Sequence, residues 1–244
     1  MQETFEFWQH RSQVLFGAEA MQKLQRSHIL LAGAGGVGGY VAEALTRAGV
    51  GSLTVYDPDT VHPSNLNRQL LALHSTDNLH KTAVLAQRLP DINPQISLDL
   101  QPIALTAGNI PHILQSNHFD YVIDAIDSLH DKCFLLAAAC RQNIPVISSM
   151  GAGCRWDPTQ VQYADISKTF GCPLAKAVRS KLKKEYDIRQ GIECVFSPES
   201  NPHTLHPSPN GERPIIGSSS FMPGIFGLFI AARVINRLRE ASND

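Results

Sequence analysis

The chain has 244 residues, of which 43% are hydrophobic and 18% charged, the composition of an ordinary globular protein with a sizeable core. Its formal net charge is −1, from 21 lysines and arginines against 22 aspartates and glutamates. This balance argues against a protein that covers nucleic acid or membrane with its whole surface, but it is compatible with a local basic patch.

The cysteines and the apolar segments exclude further classes. The five cysteines include no C-x-x-C pair, so we expect neither a structural zinc site nor a dithiol redox motif. The N-terminus has no positive-then-apolar signal pattern, and the longest apolar stretch, residues 221–232, is too short to span a bilayer. We therefore expect a cytoplasmic protein with no membrane partner.

Strands and helices alternate along the first part of the chain. A strand at residues 29–32, a glycine-rich turn, a helix at about 37–47 and a strand at 53–56 make a right-handed βαβ unit. The alternation continues with a helix at 79–89 stopped by Pro90, strands at 96–100 and 121–124, a helix at 127–141 and a strand at 145–148. The predicted fold is α/β, a doubly wound, mainly parallel sheet with helices on both faces.

The sequence changes character after residue 153. It predicts a half-exposed strand at 160–164, a basic helix at 174–186, a long proline-rich loop at 197–214 and an apolar helix at 224–238. No clean boundary separates these elements from the rest. We therefore expect a single domain over residues 1–244, with a core at about 27–153 and a C-terminal, substrate-side extension at about 154–244.

The turn after the first strand has a G-x-G-x-x-G pattern, formed by Gly33, Gly35 and Gly38, with a further glycine, Gly36, at a variable position. In this pattern the first glycine makes a tight turn, the second lets the backbone approach a phosphate, and the third lets helix and strand pack closely. The helix N-terminus adds free N–H groups. Asp57, at the end of the second strand, is in position to bind ribose hydroxyls. Together these features predict a nucleotide site.

The residues that follow favour a nucleoside triphosphate over a dinucleotide. The loop after Asp57 offers carboxylate, amide and guanidinium groups, on Asp59, Asn65, Arg68 and Gln69. Lys81 opens the next helix, and Asp127 follows a strand at the sheet's carboxyl edge, where open α/β sheets bind ligands. Arginine and lysine neutralise phosphate charge, and aspartate binds Mg²⁺, so we expect a polyphosphate with Mg²⁺ at Asp127.

This ordered set of motifs resembles the ubiquitin-activating-enzyme-like superfamily, the adenylating enzymes of the ThiF/MoeB kind. The resemblance runs from about residue 5 to the C-terminal helix and is strongest over residues 29–153. The matched positions are the glycine turn, Asp57, Asp59, Asn65, Arg68, Gln69, Lys81 and Asp127. It implies that ATP is bound and that a carboxylate is adenylated, with Arg68, Lys81 and Asp127 as catalytic residues.

Within the superfamily the chain resembles the tRNA threonylcarbamoyladenosine dehydratase branch, through residues 121–127, 151–153, 157–160, 173–175 and 193–197. This implies a homodimer that uses ATP to cyclise the threonylcarbamoyl group on an adenosine of tRNA. It also implies that an arginine from the partner subunit's N-terminal segment reaches the phosphates, and Arg11 is the best-placed residue. Residues 217–224 carry serines where some relatives have a cysteine, so a sulfur-transfer partner stays open.

The basic helix at 174–186 is the predicted RNA contact. It carries five cationic side chains within about two and a half turns, Lys176, Arg179, Lys181, Lys183 and Lys184. A solvated helix face is the alternative, and the tRNA substrate implied by the resemblance favours the RNA contact. No residue stands out as a covalent nucleophile, and Cys172 and Cys194 are left as the candidates.

Three other functions stay open. One is adenylation of the Gly-Gly C-terminus of a ubiquitin-like sulfur-carrier protein, against which the missing zinc cysteines weigh. The second is an NAD-dependent oxidoreductase, although no catalytic dyad is evident and residues 65–69 do not suit one. The third is a noncatalytic adaptor, but such a copy need not keep Arg68, Lys81 and Asp127 together.

Overall fold

The structure of the chain is a computed structural model that describes residues 7–199, 205–206 and 215–240. Its strands are β1 (His28–Ala32), β2 (Ser52–Tyr56), β3 (Ser97–Gln101), β4 (Tyr121–Asp124), β5 (Val146–Ser149), β6 (Gln162–Asp165), β7 (Glu193–Phe196), β8 (Leu205–His206) and β9 (Ile215–Ile216). Within the described ranges, seven of them form one sheet in the order β3-β2-β1-β4-β5-β7-β6, and β8 pairs with β9. Neighbours in the large sheet are parallel except β6 and β7.

Helices cover both faces of this sheet. The described α-helices are α1 (His10–Phe16), α2 (Ala18–Arg26), α3 (Gly38–Ala48), α4 (Lys81–Ile92), α5 (Ile110–Ser116), α6 (Leu129–Arg141), α7 (Pro173–Tyr186) and α8 (Met222–Glu240). Successive residues of the central strand β1 point to opposite faces of the sheet. Ile29 and Leu31 belong to the core that lies under α2, α3, α4 and α8. Leu30 belongs to the core that lies under α5, α6 and α7. The predicted doubly wound α/β fold is confirmed.

Two helices begin two residues later than predicted. The helix expected at 79–89 is α4 (Lys81–Ile92), which starts later because Leu79 is in a turn whose carbonyl accepts the Val61 N–H. It also passes through Pro90. A proline in the last turn removes only its own N–H, and the Asn93 N–H still bonds to the Leu89 carbonyl. The helix expected from 127 begins at Leu129, after an N-cap at Ser128.

Several elements were not predicted. They are α1, α2, α5, β7 and β9, all of nine residues or fewer, and such short segments show too little of an apolar period to be predicted. The loop expected at 197–214 contains β8, and its residues 200–204 and 207–214 lie outside the described ones, as do 1–6 and 241–244. Because β6 and β7 join the same sheet as the strands before residue 153, we infer that the chain forms one unit.

The C-terminal helix α8 packs closely on α3, directly behind the glycine turn. A Cβ on Gly227 would lie 2.6 Å from the Val37 carbonyl oxygen and 2.9 Å from the Tyr40 Cβ, so only glycine permits this approach. Gly36 of the turn faces Pro223 at the start of α8, and a Cβ added to Gly36 would lie 3.0 Å from the Pro223 Cβ. The turn therefore rests on the C-terminal helix. None of the described helices has the length and apolarity to cross a bilayer.

Candidate functional site

The glycine turn between β1 and α3 has a fixed backbone shape. Gly33 has a φ of +92°, in the region that disfavours side chains, and its N–H bonds to the Tyr56 carbonyl at the end of β2. A Cβ on Gly38 would lie 1.8 Å from the Gly33 carbonyl oxygen, so the turn closes only with glycine there. A Cβ on Gly35 would meet only the Gln69 amide nitrogen, at 4.0 Å, within the described residues. Gly35 is therefore the open point of the turn.

Asp57 holds this turn in place. Its carboxylate is buried and accepts hydrogen bonds from the backbone N–H of Ala34, at 2.6 Å, and of Asp59, at 2.9 Å. The Lys81 ammonium is also buried and lies 2.7 Å from an Asp59 oxygen and 3.7 Å from an Asp57 oxygen. The sequence-predicted residues at the ends of β2 and the start of α4 are thus brought together beside the turn.

The segment 65–69 lies against the same turn, and its residues differ in what they do. The Asn65 side chain accepts the His62 N–H and folds the segment. The Arg68 guanidinium donates to the Ser64 carbonyl and to Asn67, with its stem next to Gly36. Gln69 has a buried side-chain oxygen that finds no hydrogen-bond donor among the described residues. Arg68 and Gln69 are therefore the members whose side chains contact the glycine turn.

A cavity of about 620 Å³ opens beside the turn, between the loops that follow β4 and β5 and the start of α7. Its lining includes Val37, Asp127, Gly151, Arg155, Cys172 and Leu174. The Asp127 carboxylate is exposed and makes no hydrogen bond or ion pair with another described residue. A free carboxylate at the carboxyl edge suits a cation that takes its other ligands from water and phosphate, as Mg²⁺ does. No group of three or more metal-binding side chains occurs in the described ranges.

Behind this cavity lies a buried ion pair that the sequence analysis missed. The Lys132 ammonium of α6 lies 2.6 Å from an Asp124 oxygen, and both side chains are fully buried. Lys132 also donates to the Ser149 carbonyl, and the Ser148 hydroxyl donates to Asp124. The network ties the ends of β4 and β5 together. One signal was present, because Lys132 shares the apolar stripe of α6 with Leu135.

The basic helix α7 carries only part of the predicted basic surface. Lys176, Arg179 and Lys183 line a groove of about 360 Å³ together with Arg189, which the sequence analysis did not select. Arg179 is half-buried and donates to both the carbonyl and the hydroxyl of Thr169.

The remaining two predicted lysines of α7 do not line the groove. Lys181 pairs with Glu185 at 2.7 Å, and Lys184 is exposed elsewhere on the helix. The groove residues, defined as Lys176, Lys183 and Arg189, are the exposed cations that the structure brings together.

Arg11 and the candidate cysteines lie in different parts of the structure. Arg11 is exposed on α1, and its action across a dimer stays a prediction. Cys194 is fully buried, and burial raises the pKa of its thiol well above the usual range, while burial raises the pKa of Cys133 to about 11. A neutral buried thiol is a poor nucleophile. Cys172 is buried and lines the cavity wall.

Comparison with known proteins gives three findings. A profile of the ThiF family matches residues 9–244. The tRNA threonylcarbamoyladenosine dehydratase of Bacillus subtilis (strain 168) is 38% identical over 236 residues, covering 92% of this chain and 92% of that protein. The crystal structure of E. coli tRNA N6-threonylcarbamoyladenosine dehydratase, TcdA, in complex with ATP matches with a TM-score of 0.87 and 34% identity, over 96% of each chain.

A relative of another activity matches over a shorter part. The molybdopterin-synthase adenylyltransferase of Haemophilus influenzae is 33% identical over 161 residues, which is 62% of this chain and 65% of that protein. The similarity to adenylating enzymes thus extends beyond the dehydratases, but the dehydratase match covers more of this chain, 92% against 62%.

Proposed function

The chain belongs to the ThiF family, and we propose that it is an ATP-dependent enzyme that cyclises threonylcarbamoyladenosine in tRNA with net loss of water. The observation that carries the proposal is the extent of the dehydratase match, 92% of this chain in sequence and 96% in structure. Relatives named as adenylyltransferases of molybdopterin synthase or of a sulfur carrier protein share the adenylation chemistry but match over a smaller part of the chain.

The proposed reaction has two steps. A carboxylate is a poor electrophile, so its oxygen first attacks the ATP α-phosphorus, and the bond to the β-phosphate oxygen breaks with release of pyrophosphate. The resulting acyl adenylate has a good leaving group. The ureido nitrogen of the same modification then attacks the acyl carbon and loses its proton, and AMP departs. For the first step the protein mainly has to position the two reactants and neutralise charge.

Several of the predicted site residues have a proposed part in this step. We propose that the N–H groups around Gly35 bind phosphate and that Asp57 binds ribose with the lone pairs left over from its backbone contacts. Arg68 would contact the polyphosphate. The Lys81 ammonium has three donors and two carboxylate neighbours, which leaves one donor for a phosphate oxygen.

Mg²⁺ is part of the proposal as the ion that neutralises the phosphates. Asp127 would hold it, because its carboxylate is exposed beside the turn and unpaired within the described residues. A single carboxylate completed by water and phosphate oxygens is a usual Mg²⁺ site in nucleotide enzymes.

We further propose that the enzyme is a cytoplasmic homodimer. The N-terminal segment exposes large apolar side chains, with Phe7 at 94%, Val14 at 75% and Leu15 at 74% exposure, on the same segment as Arg11. Exposed apolar side chains that cluster in this way are typical of a protein interface. A second copy covering them would bring Arg11 toward a neighbouring site.

The function is tested with ATP, Mg²⁺ and tRNA bearing threonylcarbamoyladenosine. We expect AMP release together with loss of one water from the nucleoside, read by mass spectrometry. D127N should lose about 100-fold in turnover, since it removes the proposed cation ligand, whereas D91N, which changes an exposed aspartate on α4, should keep it. No AMP with this tRNA, but pyrophosphate exchange with a carrier protein ending in Gly-Gly, would overturn the proposal in favour of the sulfur-carrier alternative.

The groove residues give a prediction for tRNA binding. K183A should reduce the magnitude of the negative slope of log affinity against log salt by about 0.7–0.9, because one phosphate contact is lost. K181A is its control, since Lys181 lies two residues away and is paired with Glu185, and it should leave the slope unchanged. Filter binding over a salt series measures both slopes. Equal slopes for the two variants would contradict an RNA contact at this groove.

A further inference from the structure

The cavity beside the turn contains an arginine that the proposed reaction has not yet used. Arg155 is only 6% exposed, and it is the single lysine or arginine among the described residues that line the cavity. One of its terminal nitrogens, Nη1, donates to the Cys154 carbonyl at 3.2 Å. Its Nε is buried and has no hydrogen-bond partner in the described part of the chain.

The loop that carries Arg155 is held on both sides. The Cys154 N–H bonds to the Gly217 carbonyl at 2.8 Å, and Cys154 itself has a φ of +59°, a conformation unusual for a residue with a side chain. Beyond Arg155, the N–H groups of Trp156 and Asp157 both donate to one Glu199 oxygen at 3.0 Å. The guanidinium is therefore positioned before any ligand arrives, as a binding group should be.

A buried guanidinium whose N–H donors are partly unpaired is suited to bind an anion. Burying a charged group without a partner is costly, and no carboxylate of the described residues lies within ion-pair distance of Arg155. Nη1 is engaged, so the free edge consists of Nε and Nη2. Two parallel N–H groups on one edge match the two oxygens of a carboxylate.

We propose that Arg155 binds the substrate carboxylate, the threonyl carboxylate of the modified adenosine, before it is adenylated. This proposal rests on the proposed function. The carboxylate must approach the anionic α-phosphate, and a guanidinium on the cavity wall offsets that repulsion and aims one oxygen at phosphorus. Once the oxygen is bonded to phosphorus, the acyl group is no longer an anion, so the arginine's hold weakens before the ring closes.

Signals for this residue were present in the sequence. Open α/β sheets bind ligands at the carboxyl ends of their strands, which is why Asp127 was predicted after β4. The same rule applies to β5, whose carboxyl end is followed by the small residues 151–153 and, shortly after them, by Arg155. The sequence alone does not show that the Arg155 side chain is buried or that its Nε has no hydrogen-bond partner among the described residues.

The test compares two ligands that differ only at the carboxyl group. The probes are tRNA bearing threonylcarbamoyladenosine and the same tRNA with that carboxylate converted to a primary amide, and their dissociation constants are measured without ATP. We expect the wild-type protein to bind the acid about 10- to 100-fold tighter than the amide. R155Q should bind both equally, with its affinity for ATP unchanged.

Two further variants keep the result interpretable. R155K retains the positive charge but not the paired N–H donors, so it should lose most of the preference for the acid over the amide. It replaces R155Q in the comparison if R155Q does not fold. R141Q, at an exposed arginine of α6, should behave as wild type. An undiminished acid preference in R155Q and R155K overturns this inference. If the wild-type protein releases no AMP from the acid-bearing tRNA, the proposed function fails instead.

Discussion

Replacing Lys132 by methionine is expected to lower the free energy of unfolding by about 3–5 kcal/mol. The lysine and its partner Asp124 are both fully buried, at an N–O distance of 2.6 Å. Methionine fills a similar volume but leaves the Asp124 carboxylate charged in the interior, with the Ser148 hydroxyl and the Ile126 N–H as its remaining partners. The loss is mainly the cost of that uncompensated charge.

Denaturant unfolding followed by circular dichroism measures this effect. K176M, at an exposed lysine of α7, is the control and should change stability by less than about 0.5 kcal/mol. The double variant D124N/K132M should lose less than K132M alone, because no buried charge is left unpaired. A K132M protein within 1 kcal/mol of wild type would contradict a structural role for the pair.

Replacing Gly38 by alanine is expected to weaken ATP binding by about 100-fold or more, equivalent to about 2.7 kcal/mol. The added Cβ would lie 1.8 Å from the Gly33 carbonyl oxygen, which is backbone and cannot move unless the turn changes shape. A reshaped turn would lose the alignment of its N–H groups toward the phosphates, and Asp57 would lose its contact with Ala34.

Gly39, the next residue along, is a matched control. A Cβ there would lie 3.6 Å from the Leu71 side chain, which is ordinary contact, and alanine is a better helix former than glycine. G39A should therefore bind ATP as wild type does and be equally or more stable. Calorimetric titration with ATP compares the two variants. Wild-type affinity in G38A would show that the close contact in the turn does not control binding.

Local patterns in the sequence were enough to predict the fold class and the nucleotide turn. The turn pattern and the strand ending at Asp57 depend on neighbouring residues, so their spacing is visible in the chain itself. The carboxyl-edge rule placed Asp127 beside the turn, where it lines the same cavity as Val37, although it lies 89 positions after Gly38 in the chain.

Pairing between residues far apart in the chain and the burial of charged side chains could not be predicted from the sequence. Lys132 meets Asp124 only because α6 folds back over β4, and a lysine in a helix is usually exposed. On α7, periodicity alone did not separate Lys183, which lines the groove, from Lys181, which pairs with Glu185. Arg189 joins the groove from beyond the helix end, where no helical spacing applies.

The contact of α8 with α3 has a consequence for biosynthesis. The turn at Gly33–Gly38 is synthesised before α8, but Gly36 rests on Pro223 and the Val37 carbonyl packs over Gly227, both of which belong to α8. A ribosome-bound chain whose α8 has not yet been synthesised lacks the helix surface on which the turn packs. The turn is therefore fixed in its final shape only after α8 has been synthesised.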